Sequence, residues 1–274
     1  MITKKNNNAF LLTHLGLGDH YFCVPIVRYL QTIYDKVYVV CKKQYHNNLK
    51  LIFSDDINIR FFPVLNDQCI SPKMGADINI FNKLTNCMDI FLAGGAHTYL
   101  PCIDRDFPLY FYDHLGIDRK IFWTHFKVNV PEESEQLYKQ LIGKRYIVIH
   151  NTASNGKVFN SNFVKNKYKN NDDIIFINFN ENEYEQSHKY YDLVQNFINK
   201  PLLYYYHTIV NASAVYLTDS SFFCLSSHLP IITKDCYYIA REDRSYDVMY
   251  SSDIYNNSLG MPRFHQISLN DTKV

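Results

Sequence analysis

Asp19 stands in the run His14-Leu15-Gly16-Leu17-Gly18-Asp19-His20, just after the apolar stretch 9–12. Glycine lets a backbone turn sharply and approach a ligand closely. Gly16 and Gly18 can therefore deliver the Asp19 carboxylate into a binding site, where it would take a proton from a hydroxyl as a general base. Asp also caps helices, and a cap for a helix starting near His20 or Tyr21 is the competing reading. The dinucleotide fingerprint needs a third glycine three residues after the second. Tyr21 stands there, so NAD is a poor fit.

Three polar loops in the second half are binding candidates, two of them for an anion. His150-Asn151-Thr152-Ala153-Ser154-Asn155-Gly156-Lys157 follows a strand-like run. Lys157 there can neutralise a diphosphate, with Asn151 and Ser154 beside it; the plain reading is a solvated lysine. Asp219-Ser220-Ser221 opens a helix after the run 214–217. Free N–H groups at a helix start favour anions. Ser220 and Ser221 add hydroxyls, and Asp219 suits a sugar hydroxyl or a brace for the loop. Glu181, Glu183 and Glu185 follow a strand at 173–179. A carboxylate at a strand end can hold both ribose hydroxyls, and Glu183 is the candidate; a charged first helical turn is the alternative. His97, after Gly94-Gly95-Ala96, joins Gly16, Gly18 and His20 as an acceptor-side candidate. His14, His20 and His97 are too spread to make a metal site, and no DxD motif occurs. No metal and no other cofactor is expected.

Alternating strands and helices must position these loops. The run 9–12, a helix at 22–34 and a strand at 36–41 make a βαβ unit, which implies a parallel sheet. Pro25 fits the first turn of that helix. Strands follow at 59–62 and 88–92, and a helix at 107–115. A charged helix at 132–141, stopped by Gly143, separates this series from another. The second has strands at 145–150, 173–178, 202–206, 214–217 and 230–233, with helices at 183–198 and 222–228. After Asp235 the chain is polar without a strong period. The expected organisation is therefore a domain over 1–130, a linker helix over 131–144 and a second domain over 145–274. In such doubly wound folds ligands bind at the carboxyl ends of the strands, where the candidate loops fall.

Composition excludes other classes. The 274 residues are 47% hydrophobic, enough for a sizeable core, and the net charge of +1 gives no field for nucleic acid or an anionic surface. No apolar run approaches the ~20 residues of a membrane span. The seven cysteines include no CxxC pair, and MITKKNNN has no apolar h-region, so no secretory leader is expected. Free thiols in a reducing, cytoplasmic setting are expected.

The segment LTHLGLGDHYFCVPIVRYL resembles the amino-terminal loop of the ADP-heptose:lipopolysaccharide heptosyltransferases, a glycosyltransferase family 9-like group. DFPLYFYDHLGID, IVIHNTASNGKVF and LLYYYHTIVNASAVYLTDSSFFCLSSHLPIIT resemble, in order, that group's interdomain approach, second-domain opening and late block. The resemblance implies a GT-B fold: two Rossmann-like domains whose parallel sheets face a cleft, acceptor side first. It implies inverting, metal-independent hexosyl or heptosyl transfer from a nucleotide-sugar donor to a glycan or lipid-linked sugar. By position Asp19 is the base, Lys157 lies near the donor phosphates, Ser220 and Ser221 form the phosphate turn, and a glutamate among 181–185 binds ribose. Two departures stand out. Ser221 replaces the family's glycine, and Cys224 stands near the family's following histidine. A non-catalytic nucleotide- or sugar-binding protein and a nucleotide-sugar epimerase are the alternatives on this scaffold.

Overall fold

A computed structural model describes residues 2–66, 86–94, 107–153, 156–240 and 263–272. The described residues up to Asn129 form one compact unit, and those from Val130 onward form a second.

In the first unit, β1 (Asn8–Leu12), β2 (Lys36–Lys42), β3 (Ile59–Val64) and β4 (Asp89–Leu92) lie in the order β3-β2-β1-β4, all parallel. The inner strand β1 is buried from Ala9 to Leu12, as a continuous apolar run should be when both faces are covered. Phe10, Leu12, Leu15, Val40 and Val64 cluster there. Each such side chain contributes about 1.5–3 kcal/mol on burial.

Helix α1 runs from Leu17 to Gln31, so it begins five residues before the sequence expectation. Pro25 therefore lies in its interior rather than its first turn. An interior proline costs a helix about 3 kcal/mol. Burial of Tyr21, Phe22, Val24, Ile26, Val27 and Leu30 offsets that cost. Among the described residues, the unit also has helices α2 (His46–Ile52), α3 (Tyr110–His114) and α4 (Ile121–Thr124). Arg28, near the end of α1, donates to the Lys127 carbonyl at 3.0 Å and pairs with Asp55 at 2.7 Å.

In the second unit, β5 (Tyr146–His150), β6 (Ile175–Asn178), β7 (Ala214–Thr218), β8 (Cys236–Ala240) and β9 (His265–Ser268) form a parallel sheet in the order β6-β5-β7-β8-β9. Its core includes Ile147, Ile149, Phe159, Val164, Tyr216 and Ile239. Helix α5 (Glu132–Lys139), expected as a linker, packs inside this unit. There the buried Ser134 hydroxyl accepts a 3.0 Å hydrogen bond from the His207 N–H. The described residues also form α6 (Asn162–Lys167), α7 (Tyr191–Gln195), α8 (Tyr206–Val210) and α9 (Ser221–Ser226).

Several expected elements differ. The strand at 202–206 is a 3-10 turn, Leu202–Tyr205, running into α8. Pro201 starts it, and the Tyr205 hydroxyl ties back to the Phe197 carbonyl at 2.7 Å. The strand at 230–233 is absent, and Ile232 is 74% exposed. Beyond Asp235 the chain supplies β8 and β9 instead of a polar tail. The helix at 183–198 shrinks to α7, because its first residues bond sideways. The Asn182 side-chain oxygen accepts from the Tyr184 N–H, and the Tyr184 hydroxyl accepts from Phe176 N–H. Such local bonds compete with the helix ladder.

Candidate functional site

In the first unit, the turn after β1 enters α1 through Gly16, the N-cap residue, with φ −72° and ψ 147°. The His20 N–H donates to the Gly16 carbonyl at 3.2 Å, closing the first helical turn. Asp19 is thus the third helical residue, not the cap of a later helix. From that position an acidic side chain folds back over the N-cap and favours the positive end of the helix. The carboxylate does fold back: its Oδ2 would lie 2.5 Å from a Cβ on residue 16. Gly16 is what lets the half-exposed carboxylate sit there.

His20 does not line the loop. The early start of α1 turns it inward, where it is 3% exposed and its Nε2 has no hydrogen-bond partner among the described residues. Burial, helped by the nearby Lys42 charge, pulls its pKa down to about 4, so the ring is neutral. Gly18 lies in the first turn of α1. His97 and Ser154 lie outside the described residues.

A second cluster sits between the ends of β1 and β4. His14 Nδ1 is 3.3 Å from the Tyr110 hydroxyl, and its ring meets Phe111 edge-on with centroids 5.3 Å apart. Gly94, at φ +92°, packs its Cα against that ring; a Cβ there would lie 2.7 Å from His14 Nε2. The Gly94 N–H donates to His114 Nδ1 at 3.1 Å. Tyr110 and His114 were invisible as site residues in the sequence, where they read only as a helical stretch.

In the second unit, the described residues after β5 pair with one another across residues 154–155. Thr152 bridges Val158, and the Ala153 N–H donates to the Lys157 carbonyl at 2.7 Å. Lys157 is exposed. The buried Asn151 donates through Nδ2 to Glu181 Oε1 at 3.0 Å.

The glutamates separate cleanly. Glu183 is 4% exposed and bridged to Lys165 at 2.5 Å, and it accepts from Ser161 at 2.9 Å and Asn178 at 2.8 Å. These bonds tie its carboxylate between the end of β6 and α6. Glu181 is exposed, and its Oε1 accepts from Asn151 and, at 3.4 Å, from Asn178. Glu185 is exposed farther along the loop.

After β7 come the buried Asp219 and Ser220, then α9. Ser220 is the N-cap residue but makes no side-chain cap. Its hydroxyl lies 3.1 Å from His150 Nδ1 instead. Helix α9 has six residues, so its dipole is small. Ser221, its first residue, is partly exposed. His150 is neutral: burial lowers its pKa to about 4, partly opposed by the Asn180 side chain.

No family model and no curated protein matches this sequence. Among solved structures, a glycosyl transferase family 9 protein from Veillonella parvula DSM 2008 aligns with a TM-score of 0.53 and 10% identity, over 98% of this chain and 88% of that one. TibC, a bacterial iron-containing dodecameric glycosyltransferase from enterotoxigenic E. coli H10407, aligns at 0.52 with 12% identity, over 97% of this chain and 64% of its own. This chain has their fold. At such identities the likeness is one of architecture: two α/β units, each on a parallel sheet, of the GT-B type. Among the described residues, no three His, Cys, Asp or Glu side chains gather to hold a metal ion. Among them too, no helix is long and apolar enough to cross a membrane.

Proposed function

We propose that this chain is an inverting glycosyltransferase that moves a sugar from a nucleotide-sugar donor to a hydroxyl of a glycan or lipid-linked sugar. The observation that carries the reading is Glu181. The buried Asn151 and Asn178 amides, at the ends of adjacent strands, donate to one of its carboxylate oxygens, and in the proposed site this exposed carboxylate takes the paired hydroxyls of a ribose. That placement follows the rule for ligands in doubly wound sheets, and the fold of the two glycosyltransferase neighbours agrees with it.

In the proposed reaction Asp19 accepts the proton of the acceptor hydroxyl. The oxygen attacks the anomeric carbon as the bond to the diphosphate breaks, and the nucleoside diphosphate leaves with the electron pair. One displacement inverts the anomeric centre. Lys157 and the Ser220–Ser221 turn stabilise the departing charge. Every step uses the chain's own side chains. A cytoplasmic donor pool fits the five described cysteines, none of which is in a disulfide.

The test is a panel of ADP-, GDP-, UDP- and CDP-sugars scored for thermal stabilisation and for release of nucleoside diphosphate. A bound donor at a hundredfold excess over its Kd adds ~2.7 kcal/mol of stability. Stabilisation with turnover supports transfer. Stabilisation without turnover indicates a binding protein, and interconversion of free nucleotide sugars an epimerase. No stabilisation by any donor contradicts the proposal.

A further inference from the structure

The pairing of His150 with Ser220 assigns a role to a histidine that no part of the proposed reaction uses. His150 ends β5 and Ser220 follows β7; the two strands are hydrogen-bonded neighbours, with His150 opposite Leu217. The imidazole is 6% exposed and the serine 8%. The ring is also clamped: it stacks on Phe222 at 4.0 Å and 27°, Phe222 lies 5.0 Å from Phe179, and Phe179 stacks on Tyr205 at 3.8 Å. The stack fixes the plane of the ring, and the hydrogen bond turns its Nδ1 edge to the Ser220 hydroxyl.

A neutral imidazole has one donor and one acceptor nitrogen. If Nε2 carries the proton, Nδ1 takes the serine proton, and Ser220 shows only lone pairs to a ligand. If Nδ1 carries it, Nδ1–H donates to Ser220 Oγ, and the serine proton is left for a ligand oxygen. Only the second arrangement suits an anionic phosphate oxygen. We propose that His150 is a positioning residue for the donor diphosphate, holding its proton on Nδ1 so that the Ser220 hydroxyl donates to a phosphate oxygen. This inference rests on the nucleotide-sugar reading of the site.

The experiment uses the full chain and whichever of ADP, GDP, UDP or CDP binds the parent most tightly, with the matching nucleoside as control. Calorimetry gives both affinities for the parent, Ser220→Ala, His150→Phe, His150→Asn and the Ser220→Ala/His150→Phe pair. Phe keeps the stack and removes the nitrogen; Asn restores an N–H near the Nδ1 position. The expected result is an about tenfold or greater loss of diphosphate affinity for Ser220→Ala and for His150→Phe, as for a hydrogen bond to a charged group. Nucleoside affinity stays at the parent value, the double variant is no worse than either single one, and Asn recovers most of the loss. Nitrogen-15 spectra of His150 should report a neutral ring protonated on Nδ1. Equal losses for nucleoside and diphosphate, additive losses, or a ring protonated on Nε2 would overturn the proposal. The spectrum decides it even if His150→Phe does not fold. A parent that binds no nucleotide would instead sink the glycosyltransferase reading itself.

Discussion

The carboxylate of Asp19 occupies the space that a side chain on Gly16 would fill. Its Oδ2 would lie 2.5 Å from a Cβ at position 16, too close for both to stay. The backbone at Gly16, with φ −72°, is open to any residue. Gly16→Ala should therefore displace the carboxylate rather than strain the chain. Misplacing a reacting group by about 1 Å costs on the order of a hundredfold in rate, and exchanging glycine for alanine at an N-cap changes stability by up to about 1 kcal/mol. Transfer assays beside urea melts check this. A parent rate in Gly16→Ala would show that the orientation of Asp19 is unimportant.

Glu181 and Glu183 should part company on substitution. Glu181→Gln removes an exposed carboxylate and should weaken nucleotide binding by roughly tenfold while the melting temperature holds. Glu183→Gln breaks a mostly buried bridge to Lys165 and should cost about 1–3 kcal/mol of stability, discounted from a fully buried pair because Lys165 is 30% exposed. Its nucleotide affinity, measured well below the melting temperature, should match the parent. The reverse pattern would return the ribose role to Glu183.

Much of the fold was legible in the sequence, because β1, β2, β5 and β7 are continuous apolar runs that only a doubly covered parallel sheet can bury. What misled was competition from side chains and neighbours. Glu183 and Tyr184 carry helix-compatible spacing, yet their bonds to Lys165, Ser161 and the edge of β6 hold them out of a helix. Residues 236–240 read as polar through their tyrosines, although Tyr238 is buried. At the site, the loops were visible from their residue types. The choice among three glutamates was not, because it depends on where Asn151 and Asn178 reach across from adjacent strands. Nor was the His150–Ser220 pair, which joins residues 70 apart.

Stability should fall as the pH drops below neutrality. His20 and His150 have folded pKa values near 4, and His228 near 3, each lowered chiefly by burial. The unfolded chain takes up these protons near pH 6.5, so their contribution is complete above that value and is lost as pH falls toward the folded values. Between pH 6.5 and 5 the loss is up to about 2 kcal/mol per histidine. Urea melts at pH 7, 6 and 5 measure the slope. His20→Leu should flatten it, and an unchanged slope would place the linkage elsewhere.

Lys157→Ala should weaken nucleoside diphosphate binding by about tenfold and leave the nucleoside alone. The chain around Lys157 is held by backbone bonds that alanine keeps, among them the 2.7 Å bond from Ala153 N–H to the residue 157 carbonyl. An exposed substitution of this kind shifts stability by about 0.5 kcal/mol or less. Calorimetry showing parent affinity for the diphosphate would remove Lys157 from the donor site.

The most direct measurement is the transfer rate of Asp19→Asn, with donor affinity determined on the same sample. Asparagine keeps the size and polarity of the side chain at the start of α1 and lacks the proton acceptor. General base catalysis is typically worth ~10²–10⁴-fold. The account predicts a rate lower by that factor with the nucleoside diphosphate Kd and the melting temperature unchanged. Sugar transfer at the parent rate by Asp19→Asn would contradict it.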